Sequence, residues 1–490
     1  VPLRITENIN IDFKVGGKYK RKNRERRVTS YEYNYIVLED VNASIQPWLT
    51  SIGLERVGGL PFSLFRDYDY QPNEDFMNNE GARMDYVINA ELTDEMFVNQ
   101  VDLNPETTLL WDNRETLTRD YWGWESYGAA YLMGEINLGR RIVLIPGVRY
   151  EQVHNEYSAY KVHVTSMSFW PTDTLTKPAD HAHWLPHLHL RFRATDWWDI
   201  RFSYNNTLSR PDYNYAIPLV WYHTSQSRGT AGNPFIKPAV SENLDANFTF
   251  YARKLGLITI GGFYKTISNI FYQQETIVKN IPDSSVVAEF PLDTYPSIGQ
   301  SSTDYYINSP YEAYVKGIEL EWQSNFTWLP GAWSGLVLNA NYTHVWSETK
   351  YNLHRVLFII PEGGWLPEPV ESDTFYVNKL INQANDIANV SLGYDYKGFS
   401  ARLSFRYQGD VVSAVRSLPQ LNGYTAPQYK FDFVVKQNIP FKYGELQVFL
   451  NAINFTNVPQ EGYINYPSGK QTTSVRYYGR QFQLGLRFRN

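Results

Sequence analysis

Residues Phe399-Ser400-Ala401-Arg402-Leu403-Ser404-Phe405-Arg406-Tyr407 decide the fold, because apolar and polar side chains take turns along this stretch. The same alternation occurs over 446–452 and 482–488. Side chains of a β-strand point to opposite faces with a period of two, so each segment has one apolar and one polar face. The polar faces carry Arg, Lys, Glu and Asn, whereas the apolar faces carry bulky aromatic residues. This pattern predicts an all-β fold, a transmembrane antiparallel β-barrel with lipid outside and water in the lumen.

The composition supports a barrel and excludes several other classes. The 490 residues include 38 Tyr, 26 Phe and 14 Trp, and such barrels carry aromatic girdles at both membrane interfaces. A mean hydropathy of -0.43 argues against a helical membrane protein. A net charge of -6 argues against a nucleic-acid partner. Without cysteine the chain has no disulfide, thiolate metal site or thiol redox centre.

The alternating segments predict about fourteen strands. They are 8–38, 120–138, 141–163, 182–195, 197–209, 241–254, 256–279, 311–327, 333–350, 383–397, 398–416, 425–438, 443–457 and 471–489. Short connections such as Gly139-Arg140 and Lys397-Gly398 alternate with longer ones. We expect the longer connections at 40–119, 164–181, 210–240, 280–310, 351–382, 417–424 and 458–470. Short turns on the periplasmic side and long loops outside are typical of outer-membrane barrels.

Several local motifs occur in an order that identifies a family. Leu185-Pro186 precedes an alternating strand that ends in Ser209-Arg210-Pro211-Asp212-Tyr213. Gly232-Asn233-Pro234-Phe235-Ile236-Lys237-Pro238, Lys316-Gly317-Ile318-Glu319 and Asn451-Ala452-Ile453-Asn454-Phe455-Thr456-Asn457 follow in turn. Together they resemble the TonB-dependent receptor family of Gram-negative outer membranes. From the residues alone, these motifs are structural: Gly317, for example, lets a neighbouring lumenal group approach the backbone closely.

The resemblance implies an energised outer-membrane receptor that imports a scarce nutrient, which could be a siderophore, a glycan or a peptide. It implies the lipid bilayer and the inner-membrane TonB system as partners, and it allows a surface lipoprotein as a lid. It implies neither an enzyme nor a cofactor. Passive conduction through a fourteen-stranded channel and a surface adhesion or structural role are the alternatives.

Residues 1–490 read as one barrel domain. The start, Val1-Pro2-Leu3-Arg4, is not a signal peptide, so we expect that one was cleaved or that the chain begins partway along a longer one. The family's plug domain and first strands have no counterpart here, which favours the carboxy-terminal part of a barrel of about twenty-two strands. A complete fourteen-stranded barrel is the alternative.

Strand parity predicts the lumenal lining, and it includes a row of histidines. If Leu188 and Leu190 face lipid, then His181, His183, His187 and His189 face the lumen. Imidazole suits Zn, Cu and Fe, but the i, i+2 spacing on a strand favours a polar lining, and we predict no metal site. The full predicted lining is His187, His189, Arg191, Glu319, Glu321, Arg402 and Arg406.

Charged and aromatic clusters supply the remaining candidates. A basic run contains Lys18, Lys20, Arg21, Lys22, Arg24, Arg26 and Arg27. Parity turns Arg21 outward above the bilayer, where it could contact lipopolysaccharide phosphates or belong to a solvated strand extension. Asp67, Asp69, Glu74 and Asp75 lack calcium-loop spacing and read as a solvated loop.

Loop aromatics are the predicted substrate contacts, with local loop packing as the alternative. They are Tyr213, Tyr215, Trp221, Tyr222 and Trp365. Loops outside a rigid barrel commonly carry binding residues. No nucleophile elbow, zinc-protease motif or P-loop occurs, so we predict no catalytic residues.

Overall fold

The computed structural model describes residues 2–28 except 7, then 31–32, 50–51, 66–70, 87–92, 95, 110–111, 117, 119–164, 169–223, 228–278, 301–360, 365, 368–416 and 418–489. Within them an antiparallel barrel sheet runs in chain order, and each strand pairs with the next. Its fifteen strands are β1 (Pro2–Thr6), β2 (Ile9–Arg26), β5 (Tyr121–Leu138), β6 (Ile142–Val164), β7 (Phe169–Arg193), β8 (Trp198–Ser209), β11 (Ala239–Ala252), β12 (Gly256–Ser268), β15 (Ala313–Asn325), β16 (Leu336–Ile359), β18 (Asp386–Tyr396), β19 (Phe399–Gln408), β22 (Gln428–Phe441), β23 (Gly444–Ile453) and β26 (Gln481–Arg489).

Eleven further strands lie beside or between the barrel strands. They are β3 (Tyr31–Glu32), β4 (Leu110–Trp111), β9 (Val220–His223), β10 (Arg228–Ala231), β13 (Phe271–Val278), β14 (Ser301–Asn308), β17 (Glu368–Asn378), β20 (Val411–Ala414), β21 (Gly423–Thr425), β24 (Gln460–Tyr466) and β25 (Gly469–Arg476). A one-turn helix spans Tyr213–Ala216, and 3-10 turns span Gly331–Gly335 and Pro419–Leu421. No helix in the described residues is long and apolar enough to cross a membrane.

Short turns and long connections alternate as the sequence predicts. The turn at Lys397-Gly398 has positive φ at both central residues, 46° and 82°, which suits a tight hairpin between twisted strands. The barrel has one strand more than the expected fourteen, since Pro2–Thr6 folds back on β2. In the described residues no pairing joins β1 to β26, so the sheet is open between these two strands.

Where the structure describes them, the connections expected as long loops at 164–181, 210–240, 351–382 and 458–470 form paired strands, which corrects that part of the prediction. The connection expected at 40–119 lies largely outside the described residues, and so does 280–300 of the one expected at 280–310. Residues 164–181 belong mostly to β6 and β7, which stay paired as far as Val164 and Phe169. β9 continues this sheet by parallel pairing with β6, and β10, β14 and β13 follow. β17 pairs with the far end of β16, and β20, β21, β24 and β25 form a separate sheet. Backbone groups that a plain loop would leave to water are therefore paired.

A small core holds the hairpins together at the long-loop end. Tyr272 and Tyr351 meet edge to face at 5.1 Å between ring centroids, and both are buried with Val412 and Val415. Tyr351 also packs against Tyr376 of β17 at 5.7 Å. Burial raises the pKa of the Tyr351 hydroxyl above its usual range. These contacts join β13, β16, β17 and the segment after β20 into one packed unit.

Candidate functional site

The register separates the barrel wall into an apolar outer face and a polar lumenal face. Leu403 pairs with Leu392 and Phe433, and its side chain is 41% exposed. The next residue, Ser404, pairs with Ser391 and Asp432 on the opposite face. The same parity places the predicted residues Arg402, Arg406, Glu319 and Glu321 on the lumenal face.

Exposed aromatic side chains mark the two ends of the outer face. Near the short turns they are Trp197, Trp328, Trp333 and Tyr443, and towards the loops they are Tyr19, Trp184, Tyr264, Trp346 and Tyr429. The indole N–H of Trp328 donates to the Lys254 carbonyl of a neighbouring turn at 2.7 Å. Amphipathic rings at these two levels are expected of a wall that spans a bilayer.

The histidine row shares the face of β7 opposite to Leu188 and Leu190, and its place in the lumenal lining stays a prediction. His187 and His189 have ring centroids 5.6 Å apart, and His187 covers Gly147, where a Cβ would collide with its ring. Glu151 is the register partner of His183. In the described part of the chain no three His, Asp or Glu side chains converge to hold a metal ion. A polar lining formed by this row, and its contact with a ligand, remain predictions.

Near the short turns, Asp199 ties β7, β8 and β11 together in the lumen. Its Oδ2 accepts from Nε and Nη2 of Arg191 at 3.0 and 2.7 Å, from Arg201 at 3.3 Å and from the Tyr251 hydroxyl at 3.2 Å. Asp199 is 1% exposed, so this carboxylate is compensated by two guanidinium groups. The sequence predicted Arg191 as lining but gave no sign of Asp199, because its partners come from different strands.

A second lumenal cluster, centred on Glu151, connects the wall to a loop. Glu151 accepts from Arg149 at 2.5 Å and from the Tyr127 hydroxyl at 2.7 Å. Arg210, the first residue after β8, donates to the other Glu151 oxygen and lies over the Tyr127 ring at 5.0 Å. The loop after β8 is thereby fixed to the inside of the barrel at its first residue. The family motif around Arg210 was the only sequence signal for this cluster.

The predicted loop aromatics occupy different environments. Tyr213 lies under the Arg24 guanidinium at 4.0 Å and packs against Tyr121 at 5.8 Å. Tyr215 stacks on Tyr306 with centroids 3.7 Å apart, and burial together with this neighbour raises the pKa of Tyr306 to about 12. Tyr213 and Tyr215 thus take part in internal packing, and their contact with a substrate remains a prediction.

For the other loop aromatics and for the acidic cluster, the structure describes only some of the side chains. Trp365 is 95% exposed. Trp221 and Tyr222 lie in β9, but their side chains are outside the described part of the structure. Asp67 caps the turn at Asp69 by accepting from its backbone N–H at 3.0 Å, whereas Glu74 and Asp75 lie outside the described residues.

Arg21 projects from the outer face, where it stacks on Trp124 at 4.5 Å. His154 lies 4.8 Å from the Trp124 ring and pairs with Asp180 at 2.7 Å. The remaining basic residues of even number in the run share the lumenal parity, and Arg27 pairs with Glu25 at 2.5 Å. A lipopolysaccharide contact at Arg21 remains a prediction.

The apolar outer wall, the charged lumenal wall and the alternation of turns define a transmembrane antiparallel β-barrel. The family model described as "TonB dependent receptor-like, beta-barrel" matches residues 3–455, and the chain belongs to this family. Members of the family are outer-membrane transport receptors of Gram-negative bacteria rather than enzymes.

Solved structures agree on the fold. The siderophore receptor PiuA from Acinetobacter baumannii is 14% identical with a TM-score of 0.55, over 99% of this chain and 54% of its own. The ferric-catecholate import receptor Fiu from E. coli K12 is 13% identical with a TM-score of 0.51, over 99% and 52%. The copper transporter OprC is 11% identical with a TM-score of 0.52, over 98% and 56%. The chain thus spans about half the length of these proteins. A search of curated proteins found no match.

Proposed function

We propose that this chain is the carboxy-terminal barrel portion of an energised outer-membrane receptor that imports a scarce nutrient. The observation that carries the proposal is the family match over residues 3–455, together with a wall that is apolar outside and charged inside. In the full receptor, further strands would pair with β1 and β26, and a plug would occupy the lumen. TonB would act on that plug.

The cargo is proposed to be a siderophore, a glycan or a peptide, and the ferric siderophore is the first to test. The ferric siderophore is supported by the names of two structural neighbours, a siderophore receptor and a ferric-catecholate import receptor. Exposed loop aromatics such as Trp365 would stack on an aromatic or sugar group, and the lumenal arginines would attract anionic cargo.

The test is uptake by cells that express the full-length receptor, with and without TonB. Labelled ferric siderophores, oligosaccharides and peptides are supplied in turn, and we expect one class to accumulate only when TonB is present. Accumulation that is independent of TonB, with conductance in planar bilayers, would identify a passive channel instead. Surface attachment without accumulation would identify an adhesin.

A matched pair of variants tests the loop aromatics. Trp365→Ala should weaken binding of the imported cargo about tenfold, which corresponds to the loss of one good stacking contact. Trp333→Ala removes another exposed ring, at 66% exposure and near the short turns, and should leave cargo affinity unchanged. Equal affinities for both variants would remove Trp365 from the binding site.

A further inference from the structure

A groove interrupts the outer wall across β7, β8, β11 and β12. Its volume is about 490 Å³, and its lining includes Leu188, Phe202, Leu244 and Tyr264. The strand register shows why the groove forms. Across neighbouring strands the large residue Phe202 is followed by two small ones, Ala246 and Gly262, which leave the outer surface depressed. The row nearer the loops carries Tyr204, Leu244 and Tyr264, whose larger side chains border the depression.

One cation sits beside this groove at the level of the aromatic girdle. Lys316 pairs with Tyr264 on one side and with Trp346 on the other, and it shares the parity of the exposed residue Ile318. In the described residues no carboxylate lies within salt-bridge distance of Lys316. Adjacent strands are about 4.8 Å apart, so Lys316 lies one strand beyond the groove's border.

Acidic residues restrict where an anionic group could sit. Glu242 is one row nearer the loops than Leu244, and Glu348 is one row nearer than Trp346. Both carboxylates repel phosphate at that height, whereas Lys316 attracts it at the height of the tyrosine ring. The groove is thus apolar below the aromatic girdle, and the positive charge of Lys316 lies beside its end nearer the loops.

We propose that this groove is a lipid A site, with one acyl chain over Ala246 and Gly262 and a glucosamine phosphate at Lys316. The groove continues the lipid-facing surface of a transmembrane barrel, so its occupant comes from the bilayer. The inference rests on the proposed outer-membrane location, in which the long-loop end lies in the outer leaflet, where lipopolysaccharide replaces phospholipid. It is separate from the contact predicted at Arg21, which projects from β2.

The test is retention of lipopolysaccharide by the full-length receptor purified from outer membranes in mild detergent, measured by native mass spectrometry. Gly262→Leu fills the groove, and the structure tolerates it, because a Cβ there meets only the Gly317 carbonyl oxygen, at 3.7 Å. Each methylene displaced weakens binding about fourfold, so displacing about two of them should lower the retained lipopolysaccharide roughly fifteenfold. Lys316→Gln should reduce retention about fivefold.

Matched controls carry the same changes elsewhere. Gly128→Leu adds the same side chain to the outer face of β5, where nothing lies within 4 Å of a Cβ. Lys436→Gln removes a charge from the lumenal face of β22, and both controls should retain lipopolysaccharide as the unmodified receptor does.

Three outcomes would overturn the proposal: equal retention by all variants, no lipopolysaccharide on the unmodified receptor, or retention of glycerophospholipid in its place. TonB-dependent uptake is measured on the same variants. Loss of retained lipid with normal uptake supports the lipid site. Normal retention without TonB-dependent uptake would contradict only the transport proposal.

Discussion

Replacing Leu403 by Arg tests the assignment of the two faces of the wall. Leu403 lies midway along β19 between Phe399, near the short turns, and Tyr407, near the loops. Four residues at about 3.3 Å each, on a strand tilted about 40°, place Leu403 roughly 10 Å along the membrane normal from both Phe399 and Tyr407, within an apolar band about 25 Å tall. This is close to the bilayer midplane, where an outward Arg costs about 2–4 kcal/mol.

Ser404→Arg is the matched control, because it adds the same side chain one residue further on and to the lumen. The Ser404 hydroxyl contacts Ser391 at 3.2 Å, and Asp432 is its register partner, so a carboxylate is available to the new guanidinium. We expect a cost below about 1 kcal/mol. The free energy of unfolding would be measured by urea titration in lipid vesicles, read by heat-modifiable gel mobility. Equal losses for the two variants would refute the face assignment.

Three further predictions concern packing, the loop after β8 and alkaline pH. Gly317→Leu should cost about 1–3 kcal/mol through overpacking in the same urea titration, whereas Gly128→Leu should be nearly neutral; similar costs would mean that the space at Gly317 is not needed. Arg210→Ala should weaken the attachment of the loop to Glu151 by about 1–3 kcal/mol and speed hydrogen–deuterium exchange just after residue 210, and unchanged exchange would contradict this. The pKa of Tyr306 is raised from 10.0 to about 12, so its stabilising contribution is complete below pH 10 and is lost as pH rises through 12. Ultraviolet absorbance titrations of the unmodified protein and of Tyr306→Phe should differ by one tyrosine that ionises late. A difference that appears at the ordinary tyrosine pKa would refute this prediction.

Strand faces and turns were predictable from the sequence because both depend on local patterns. Period-two alternation around Leu403 needs no knowledge of the partner strand, and Lys397-Gly398 carries its own turn geometry. The close approach at Gly317 was also predicted, and the structure places the Phe263 ring over it.

The loop hairpins were not predictable, since their strands contain interruptions and their parallel neighbours are distant in sequence. Pro171 and Pro178 lie inside β7, and proline within a run reads as a loop because it cannot donate to the ladder. Likewise, the partners of Glu151 come from β5, from β6 and from the loop after β8, and no spacing rule joins these segments. In the candidate site, the face of the strand on which each side chain lies was predictable, whereas the ion-pair clusters were not.

Gly317, which lies beneath the Phe263 ring, has a counterpart in β26, where the Phe449 ring covers Gly485. Each pair works only in one alignment of two neighbouring strands, since a slip of one residue would bring the ring against a side chain and turn the lumenal face outward. During insertion such pairs would disfavour misaligned strands before the next hairpin is added. Deleting one residue between Gly317 and Glu319 should therefore impair assembly itself, because it would expose Glu319 and Glu321 to hydrocarbon.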